Sequence, residues 1–344
     1  MPSAKCRVPR QEGGFLPCCM AETNQPVAAE PRAIHALMSG LVDYAGLFPP
    51  AKLAMDRCVA NYAKYLASPE SWMLGRFILP VSRIEEFRTS AGGLLPRRMD
   101  EDDPASAPWP ISALSDGDLD EDLDAIFAFN GEHAEARNGL AVIDAVEIKV
   151  PATSESDPSP SVDFIENALE IMAEGVYPFF ELPLGSDLRG AVASLAGADA
   201  AAKVRTGGVT PESIPCSKRV AEFIVACAQA DVPFKATAGL HHPVRAEFNL
   251  TYEKGCPRAV MHGFLNVFVA AAMVQAYRIG AEDAARILDE SDPRAFVFED
   301  GAVAWGPGRL STEQVERARE MFALSFGSCS FKEPVGELRG LGLV

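Results

Sequence analysis

Short apolar runs alternate with amphipathic helical segments along most of this chain. From about Ala33 onward, seven apolar runs are each followed or preceded by a segment whose apolar residues recur at helical spacing. This alternation is typical of βαβ units, in which the strands lie parallel. Seven units in one direction exceed what most doubly wound sheets contain, and they favour a single (β/α)8 barrel of the TIM type. The predicted strands lie within residues 40–51, 75–81, 109–116, 142–151, 176–185, 200–208 and 232–242.

The eighth unit departs from this pattern. The apolar segment 262–280 follows a long connection, and it fits either a buried helix or a short strand that runs into a helix. A hairpin-like segment over 295–306 and a last helix over 311–326 come next. We therefore expect an α/β barrel whose eighth unit closes irregularly, with a C-terminal hairpin and helix.

The chain is expected to form one domain after an extension. Residues 1–32 are polar, contain prolines and show no periodicity, so they are predicted to be a flexible N-terminal extension, with Met20 as an alternative start. No linker divides residues 33–344, which we assign to the barrel domain. The sequence contains no signal-peptide pattern and no apolar stretch of membrane-spanning length, so a cytoplasmic protein is expected.

Composition narrows the classes of partner. The 344 residues include 31 basic and 48 acidic side chains, for a formal net charge of −17. Nucleic acids and anionic membranes attract a basic surface, so neither is expected as a partner. The eight cysteines are scattered, and the adjacent Cys18 and Cys19 lack the CxxC spacing of zinc and redox sites. Most of them are therefore predicted to be free thiols in a reducing compartment.

One acidic run resembles a calcium loop only in part. Asp116, Asp118 and Asp120 alternate as calcium ligands would, but Glu121 stands where such a loop requires glycine. Carboxylates at the start of a helix favour its positive dipole end. The run is therefore interpreted as the solvated, capped start of a helix.

Polar residues near the ends of the apolar runs are the candidates for chemistry, because the active site of a TIM barrel lies at the C-terminal ends of its strands. A lysine inside an apolar strand must be paired or functional, since its charge is costly to bury. The densest signal is the pair AKVRTGG and FKATAGLHH, in which a lysine is followed by threonine and glycine. These rules select Asp43, Glu147, Lys149, Glu181, Lys203, Arg205, Lys235, His241 and His242.

Strand geometry places some of these side chains together. Lys203 shares a strand face with Arg205, and Lys235 shares one with Thr237. If these faces point inward, the two lysines converge from adjacent strands. A second cation nearby lowers the pKa of an amine, and this is one way in which a lysine becomes a nucleophile toward carbonyl groups.

KVRTGG on the sixth strand and KATAGLH on the seventh resemble the KTSTG and KASGG strand ends of class I aldolases of the deoxyribose-phosphate aldolase type. The resemblance covers two strand ends and the order of the barrel. It implies a lyase in which Lys203 forms the Schiff base, Lys235 tunes it, and Gly207 and Gly208 lie near an anionic group of the substrate. This chain departs from the family at Arg205, where the family has a small hydroxyl residue.

Two further departures concern phosphate binding. The seventh strand ends in His-His where the family has a Gly-Gly phosphate grip, and no Gly-Ser phosphate loop follows on the eighth strand. The segments FKATAGLHHP, HGFLN and FGSCSF also resemble a bacterial protein family of unassigned function.

The leading hypothesis is therefore a lyase that acts on a small anionic carbonyl compound through a lysine Schiff base, with no resident cofactor. Lys149, Lys203, Arg205 and Lys235 would form a locally basic pocket in an acidic protein, which suits such a substrate. The predicted catalytic residues are Lys203, Lys235, Glu181, Glu147 and Lys149. The predicted substrate-binding residues are Arg205, Thr206, Gly207, Gly208, Thr237, His241, His242 and Asp43.

Three alternatives remain open at this point. A metal-assisted isomerase or lyase would gather a divalent ion with Glu147, Glu181, His241 and His242. A phosphoribosyl-transferring barrel would also use basic residues at strand ends, and a non-catalytic small-molecule binding protein would keep the same pocket. A homo-oligomer is compatible with the sequence.

Several candidates also have purely structural interpretations. Glu147 and Lys149 could pair with each other across the barrel. His241 and His242 could bond backbone groups in a loop. Arg205 could pin Glu181 or Glu147 and still bind an anion when a substrate arrives.

Overall fold

The computed structural model describes residues 32–98, 106–152, 159–172, 174–184 and 188–344. The predicted N-terminal extension lies outside this range except for Arg32, at which the first helix begins. Eight parallel strands form a closed barrel with alternating helices, which confirms the predicted (β/α)8 fold. Among the described helices, none is both long and apolar enough to cross a membrane.

Elements are numbered along the chain. The first seven barrel strands are β1 (Val42–Tyr44), β2 (Leu74–Pro80), β3 (Trp109–Leu114), β4 (Ala141–Lys149), β5 (Tyr177–Glu181), β6 (Ala201–Arg205) and β7 (Phe234–Thr237). The strands outside the barrel are β8 (Ala246–Asn249), β9 (Arg258–Met261), β10 (Phe296–Phe298), β11 (Ala302–Trp305) and β12 (Gly308–Ser311). The last strand, β13 (Ala323–Ser328), is the eighth strand of the barrel.

The described helices lie between and after these strands. They are α1 (Arg32–Met38), α2 (Met55–Leu66), α3 (Ile84–Ala91), α4 (Leu119–His133), α5 (Ser159–Ile171), α6 (Leu188–Ala193), α7 (Ser217–Gln229), α8 (Phe264–Tyr277), α9 (Ala281–Leu288), α10 (Thr312–Met321) and α11 (Lys332–Gly340).

The eighth barrel strand lies in a segment that the sequence pattern assigned to a helix. The predicted helix over 311–326 ends at Met321, and β13 begins two residues later. The helix start is fixed by a capping box between Ser311 and Gln314. β13 pairs in parallel with β7 and β1, with a register shift against β7, and so closes the barrel.

The apolar segment 262–280 is a helix and not a strand. Every residue of α8 from Phe264 to Val274 is buried, which explains why its sequence has no polar face. The predicted hairpin over 295–306 is present as β10 and β11, and β12 extends it to a three-stranded antiparallel sheet.

The acidic run before α4 has the capping role that its pattern predicted. The side chain of Asp118 accepts hydrogen bonds from the backbone N–H groups of Asp120 and Glu121. The side chain of Asp122 accepts two further backbone bonds, from Asp116 and Gly117. These carboxylates stabilise the loop and the start of the helix.

Side-chain alternation along the strands separates two cores. The large core between the barrel and its helices includes Val146, Phe180 and Val204. A separate small cluster consists of Ala145, Phe179 and Ala201, and partly buried Tyr177 and Leu324 pack against it. These three buried residues occupy the opposite strand face, which points into the barrel. Two residues further along the same face of each strand lie Glu147, Glu181 and Lys203.

Candidate active site

Six charged side chains of alternating sign form a continuous series in the upper part of the barrel. In order of contact they are Asp43, Lys235, Glu147, Lys203, Glu181 and Arg205. We refer to these six residues as the charge array. They come from β1, β7, β4, β6 and β5, so only closure of the barrel brings them together. The predicted convergence of Lys203 and Lys235 is confirmed, since the two residues are in register on adjacent strands.

Lys235 forms the deepest ion pairs of the array. Its Nζ lies 2.7 Å from Oδ2 of Asp43 and 2.6 Å from Oε1 of Glu147, and its side chain is 1% exposed. The ammonium also lies 4.9 Å from the centroid of the Phe179 ring. Asp43 is held in turn by the hydroxyl of Ser325 and is completely buried. Asp43 is thus the charge partner of Lys235 beneath the cavity and does not line the cavity as a substrate-binding residue.

Glu147 is shared by both lysines. Its Oε1 accepts from Lys235 and from the hydroxyl of Ser112 at 2.9 Å, and its Oε2 lies 2.7 Å from Nζ of Lys203. Burial alone would raise the pKa of Glu147, but Lys203 and Lys235 outweigh burial and lower it to about 2. The predicted pairing of Glu147 with Lys149 is therefore replaced by pairing with the two array lysines.

The amine of Lys203 lies between two carboxylates. Its Nζ is 2.6 Å from Oε2 of Glu181, in addition to the contact with Glu147. The other oxygen of Glu181 is 3.3 Å from Nε of Arg205, whose side chain is 53% exposed. Burial alone would raise the pKa of Glu181, but Lys203 and Arg205 lower it below its usual range. Arg205 therefore pins Glu181 while its side chain remains half exposed to solvent.

The carboxylates change the expected behaviour of the second lysine. Burial alone would lower the pKa of Lys235, but Asp43 and Glu147 outweigh burial and raise it. The second lysine nearby therefore does not lower the pKa of Lys235, because the two carboxylates outweigh it. The three cations of the array are also matched by three carboxylates, so the array is not the basic cluster that the sequence suggested.

A cavity of about 540 Å³ opens above the array at the C-terminal ends of the strands. Glu147, Glu181, Lys203 and Arg205 contribute polar surface, and Phe48, Ile78, Leu114 and Val209 are among the apolar residues that line it. Its size suits a small molecule. The predicted residues that line it, besides those four array members, are Lys149, Gly208, Thr237 and His241.

Lys149 lies at the rim of this cavity. Its side chain is exposed, and among the contacts of the described residues it forms no ion pair. Lys149 and Arg205 line the cavity with cationic groups that the carboxylates of the array do not fully neutralise. The capacity to attract an anion therefore lies at the rim, in Lys149 and the exposed end of the array, and not in the buried members of the array.

Thr206 and Gly207 lie away from the cavity and connect the loops after β6 and β7. The buried hydroxyl of Thr206 donates to the carbonyl of Ala238 at 2.7 Å. The backbone of Gly207 packs directly on Gly239, whose φ of +77° favours glycine. Both predicted binding residues therefore have evident roles in loop packing.

Replacing Gly207 with alanine should destabilise the fold. A Cβ atom at Gly207 would lie 2.8 Å from Cα of Gly239, so one backbone must move. We expect the free energy of unfolding to fall by about 1–3 kcal/mol in urea titrations. Gly301→Ala is the matched control, since a Cβ atom there meets nothing within 4 Å. Equal stability of the two variants would contradict this packing role.

The two histidines bond carboxylates of α11 and not backbone groups. Nδ1 of His241 lies 3.0 Å from Oε2 of Glu333, and Nδ1 of His242 lies 2.6 Å from Oε1 of Glu337. The ring of His242 is stacked on Phe248 at a centroid distance of 3.4 Å. Only His241 of the two faces the cavity above the array.

The donor set of the metal-assisted alternative is not assembled. Glu147 and Glu181 bind Lys203, whereas His241 and His242 bind carboxylates of α11. Among the residues that the structure describes, no group of three or more His, Cys, Asp or Glu side chains is placed to hold a metal ion.

Sequence reasoning missed several residues of the site. Ser112 and Ser325 complete the hydrogen bonding of the array, and Cys329 and Glu333 lie beside His241. The sequence could have indicated Ser112 as a candidate, because it is a polar residue inside a predicted strand. Ser325 and Cys329 carry no such indication, because the sequence pattern assigns Ser325 to a helix and predicts no element at Cys329.

Comparisons of this chain with protein-family models, with curated proteins and with solved structures gave no match.

Proposed function

We propose that this barrel is a lyase of the class I aldolase kind, in which Lys203 attacks the carbonyl group of a small anionic compound. The observation that carries the proposal is the position of the Lys203 amine: a 3% exposed lysine that lines the cavity between two carboxylates at 2.6 and 2.7 Å. A buried lysine at the C-terminal end of a barrel strand suits nucleophilic chemistry. Fold alone does not specify a reaction, so the proposal depends on this site.

The array supplies a route for the proton that Lys203 must lose before attack. Glu147 is a poor acceptor, because two lysines and a serine hold it and lower its pKa to about 2. Glu181 faces the cavity and has a weaker contact, 3.3 Å, on its other oxygen. Glu181 is therefore the better placed proton acceptor, and Glu147 and Lys235 fix the position of the amine.

The residues at the rim and on the wall of the cavity indicate the class of substrate. Arg205 and Lys149 can bind a carboxylate or phosphate group, while the apolar wall around Phe48 and Leu114 accepts a short carbon chain. The proposed substrate is thus a small anionic aldehyde or ketone. We retain the expectation of a cytoplasmic enzyme for this function.

One observation favours a second candidate, a non-catalytic binding protein for small anions. Every lysine of the array is ion-paired, and the pKa of Lys235 is raised, which is what a static network of structural ion pairs would show. Such a protein would tolerate Lys203→Arg, whereas a Schiff-base enzyme would not.

Reduction with sodium borohydride tests the proposed function. The full chain is incubated with short 2-oxo acids and with anionic aldehydes, reduced, and digested for mass spectrometry. We expect an adduct on the peptide that contains Lys203, because reduction traps a lysine Schiff base.

Two variants make this experiment decisive. Lys203→Arg keeps the charge and must lose the adduct, while Lys218→Met removes an exposed amine on α7, outside the cavity, and must keep it. An unmodified Lys203 peptide throughout the panel, or labelling at Lys149 alone, would overturn the proposal.

A further inference from the structure

A second group of reactive side chains lies at the rim of the cavity, on the side of β7 and β13. Cys329 directly follows β13, and His241 lies in the loop after β7. The two strands are neighbours, with Thr237 and Gly327 in register, so their ends bring these side chains together. Cys329 and His241 are 5% and 7% exposed, and both line the cavity that Lys203 lines.

The geometry around Cys329 is that of a thiol, an imidazole and a carboxylate in series. The sulfur atom lies 3.9 Å from both ring nitrogens of His241, and Nδ1 of that ring lies 3.0 Å from Oε2 of Glu333. The hydroxyl of Tyr252, from the connection between β8 and β9, lies 3.7 Å from the sulfur. Each partner comes from a different element, so the cluster is an arrangement of the tertiary fold.

We propose that Cys329 is a second nucleophile of this cavity, a thiol activated by His241 and positioned through that imidazole by Glu333, which adds covalently to the carbonyl carbon of an aldehyde or ketone. The catalytic residues of this step are Cys329 and His241. Glu333 acts on the step through the imidazole and is a positioning residue.

The environment of His241 supports this role. The titratable groups around it are Cys329 after β13, Glu333 on α11, Tyr252, and His242 with its partner Glu337. Burial alone would lower the pKa of His241, but Cys329 and Glu333 outweigh burial and raise it to about 9. The imidazole is therefore protonated at neutral pH, and an imidazolium beside a cysteine stabilises the thiolate form, which is the nucleophile.

The addition is balanced without an oxidant or reductant. The thiolate electron pair forms the S–C bond, and the π pair of the C=O bond moves to the oxygen. That oxygen takes the proton of the His241 imidazolium. The products are a hemithioacetal or hemithioketal on Cys329 and a neutral imidazole.

This inference does not depend on the Schiff base at Lys203. The two nucleophiles line the same cavity, but they lie on different strands and on different peptides after digestion. If no adduct forms at Lys203, the result for Cys329 still stands, and a negative result for Cys329 leaves the test of Lys203 unaffected.

Alkylation with iodoacetamide, followed peptide by peptide between pH 5.5 and 9, tests the proposal. In the native protein we expect Cys329 to react at pH 6 at least about tenfold faster than in His241→Gln, which lacks the imidazolium beside the sulfur. Cys227 is the internal control for folding, since it is completely buried and should react only when the chain opens.

A second variant covers the case in which His241→Gln does not fold, which labelling of Cys227 would reveal. Glu333→Gln keeps the imidazole and removes its carboxylate, so the reactivity of Cys329 at pH 6 should fall as well. Equal rates in the native protein and in the folded variant would overturn the proposal. The proposal would also be overturned if Cys329 is labelled only under conditions in which the buried Cys227 is labelled as well, since both would then react in the unfolded chain.

Discussion

Glu147→Gln is expected to lower the free energy of unfolding by about 3–5 kcal/mol, the usual cost of removing one partner from a buried charge pair. The substitution keeps the shape of the side chain and removes the one carboxylate that both Lys203 and Lys235 contact. Both ammonium groups are at most 3% exposed, so water cannot replace the lost charge. Urea titration at pH 7 measures the effect.

Asp144→Asn on the same strand is the matched control. Asp144 pairs with Arg76 at 2.7 Å, but both side chains are about one third exposed. Its loss should cost about 1 kcal/mol, the upper end for a partly exposed pair, because two parallel contacts join the guanidinium to the carboxylate. A similar loss of stability in the two variants would show that the charge array is not held in a water-excluded interior.

The stability that Glu147 contributes should disappear in acid. Its pKa is about 2 in the folded protein against an ordinary 4.5, so the contribution is complete above about pH 4.5 and is lost as the pH falls toward 2. The gap in unfolding free energy between the native protein and Glu147→Gln should therefore narrow by about 1.4 kcal/mol per pH unit between pH 4.5 and 3.

The gap in unfolding free energy between the native protein and Glu147→Gln reports on Glu147 alone, because both proteins contain all the other carboxylates. Urea titrations at half-unit steps of pH measure the gap, and a repeat at higher salt should leave it nearly unchanged, since buried pairs are weakly screened. A gap that stays constant from pH 5 to 3 would mean that Lys203 and Lys235 do not hold the carboxylate in its charged form.

The buried members of the charge array and the residues at the rim of the cavity have different electrostatic roles. The array is nearly neutral as a whole, because its three cations are matched by three carboxylates. Its buried members position amines without attracting anions over a distance, and only its exposed end, Arg205, can do so. The rim residues Lys149 and Arg205 provide that attraction, and the chain's net charge of −17 still disfavours large polyanions.

Residues on the first seven strands were accessible to sequence reasoning for a simple reason. On five of these strands, β1, β4, β5, β6 and β7, a charged residue lies within or at the end of an apolar run, and parallel strands present their ends at one face of the barrel. The candidates Asp43, Glu147, Glu181, Lys203 and Lys235 were all found in this way. Which of these residues pair with each other is not predictable in this way, because pairing depends on barrel closure and on strand stagger, which no local pattern encodes.

The eighth strand shows a limit of predicting secondary structure from local hydrophobic periodicity. ALSF continues the apolar spacing of α10, so periodicity extended the helix over it, although the backbone leaves the helix after Met321. The fold needs a strand there to join β7 to β1, and that requirement is non-local. Cys329 was missed for the same reason.

The sequence by itself determined the (β/α)8 barrel, the helix-capping role of its acidic run and the set of charged strand ends, because hydrophobic periodicity and residue type are local properties. Only the tertiary structure decided which charges meet. It showed that Glu147 bridges two lysines instead of pairing with Lys149, and that Thr206 and Gly207 pack loops. It also placed a thiol beside His241. These outcomes depend on distances between strands far apart in the chain, and closure of the barrel alone sets those distances.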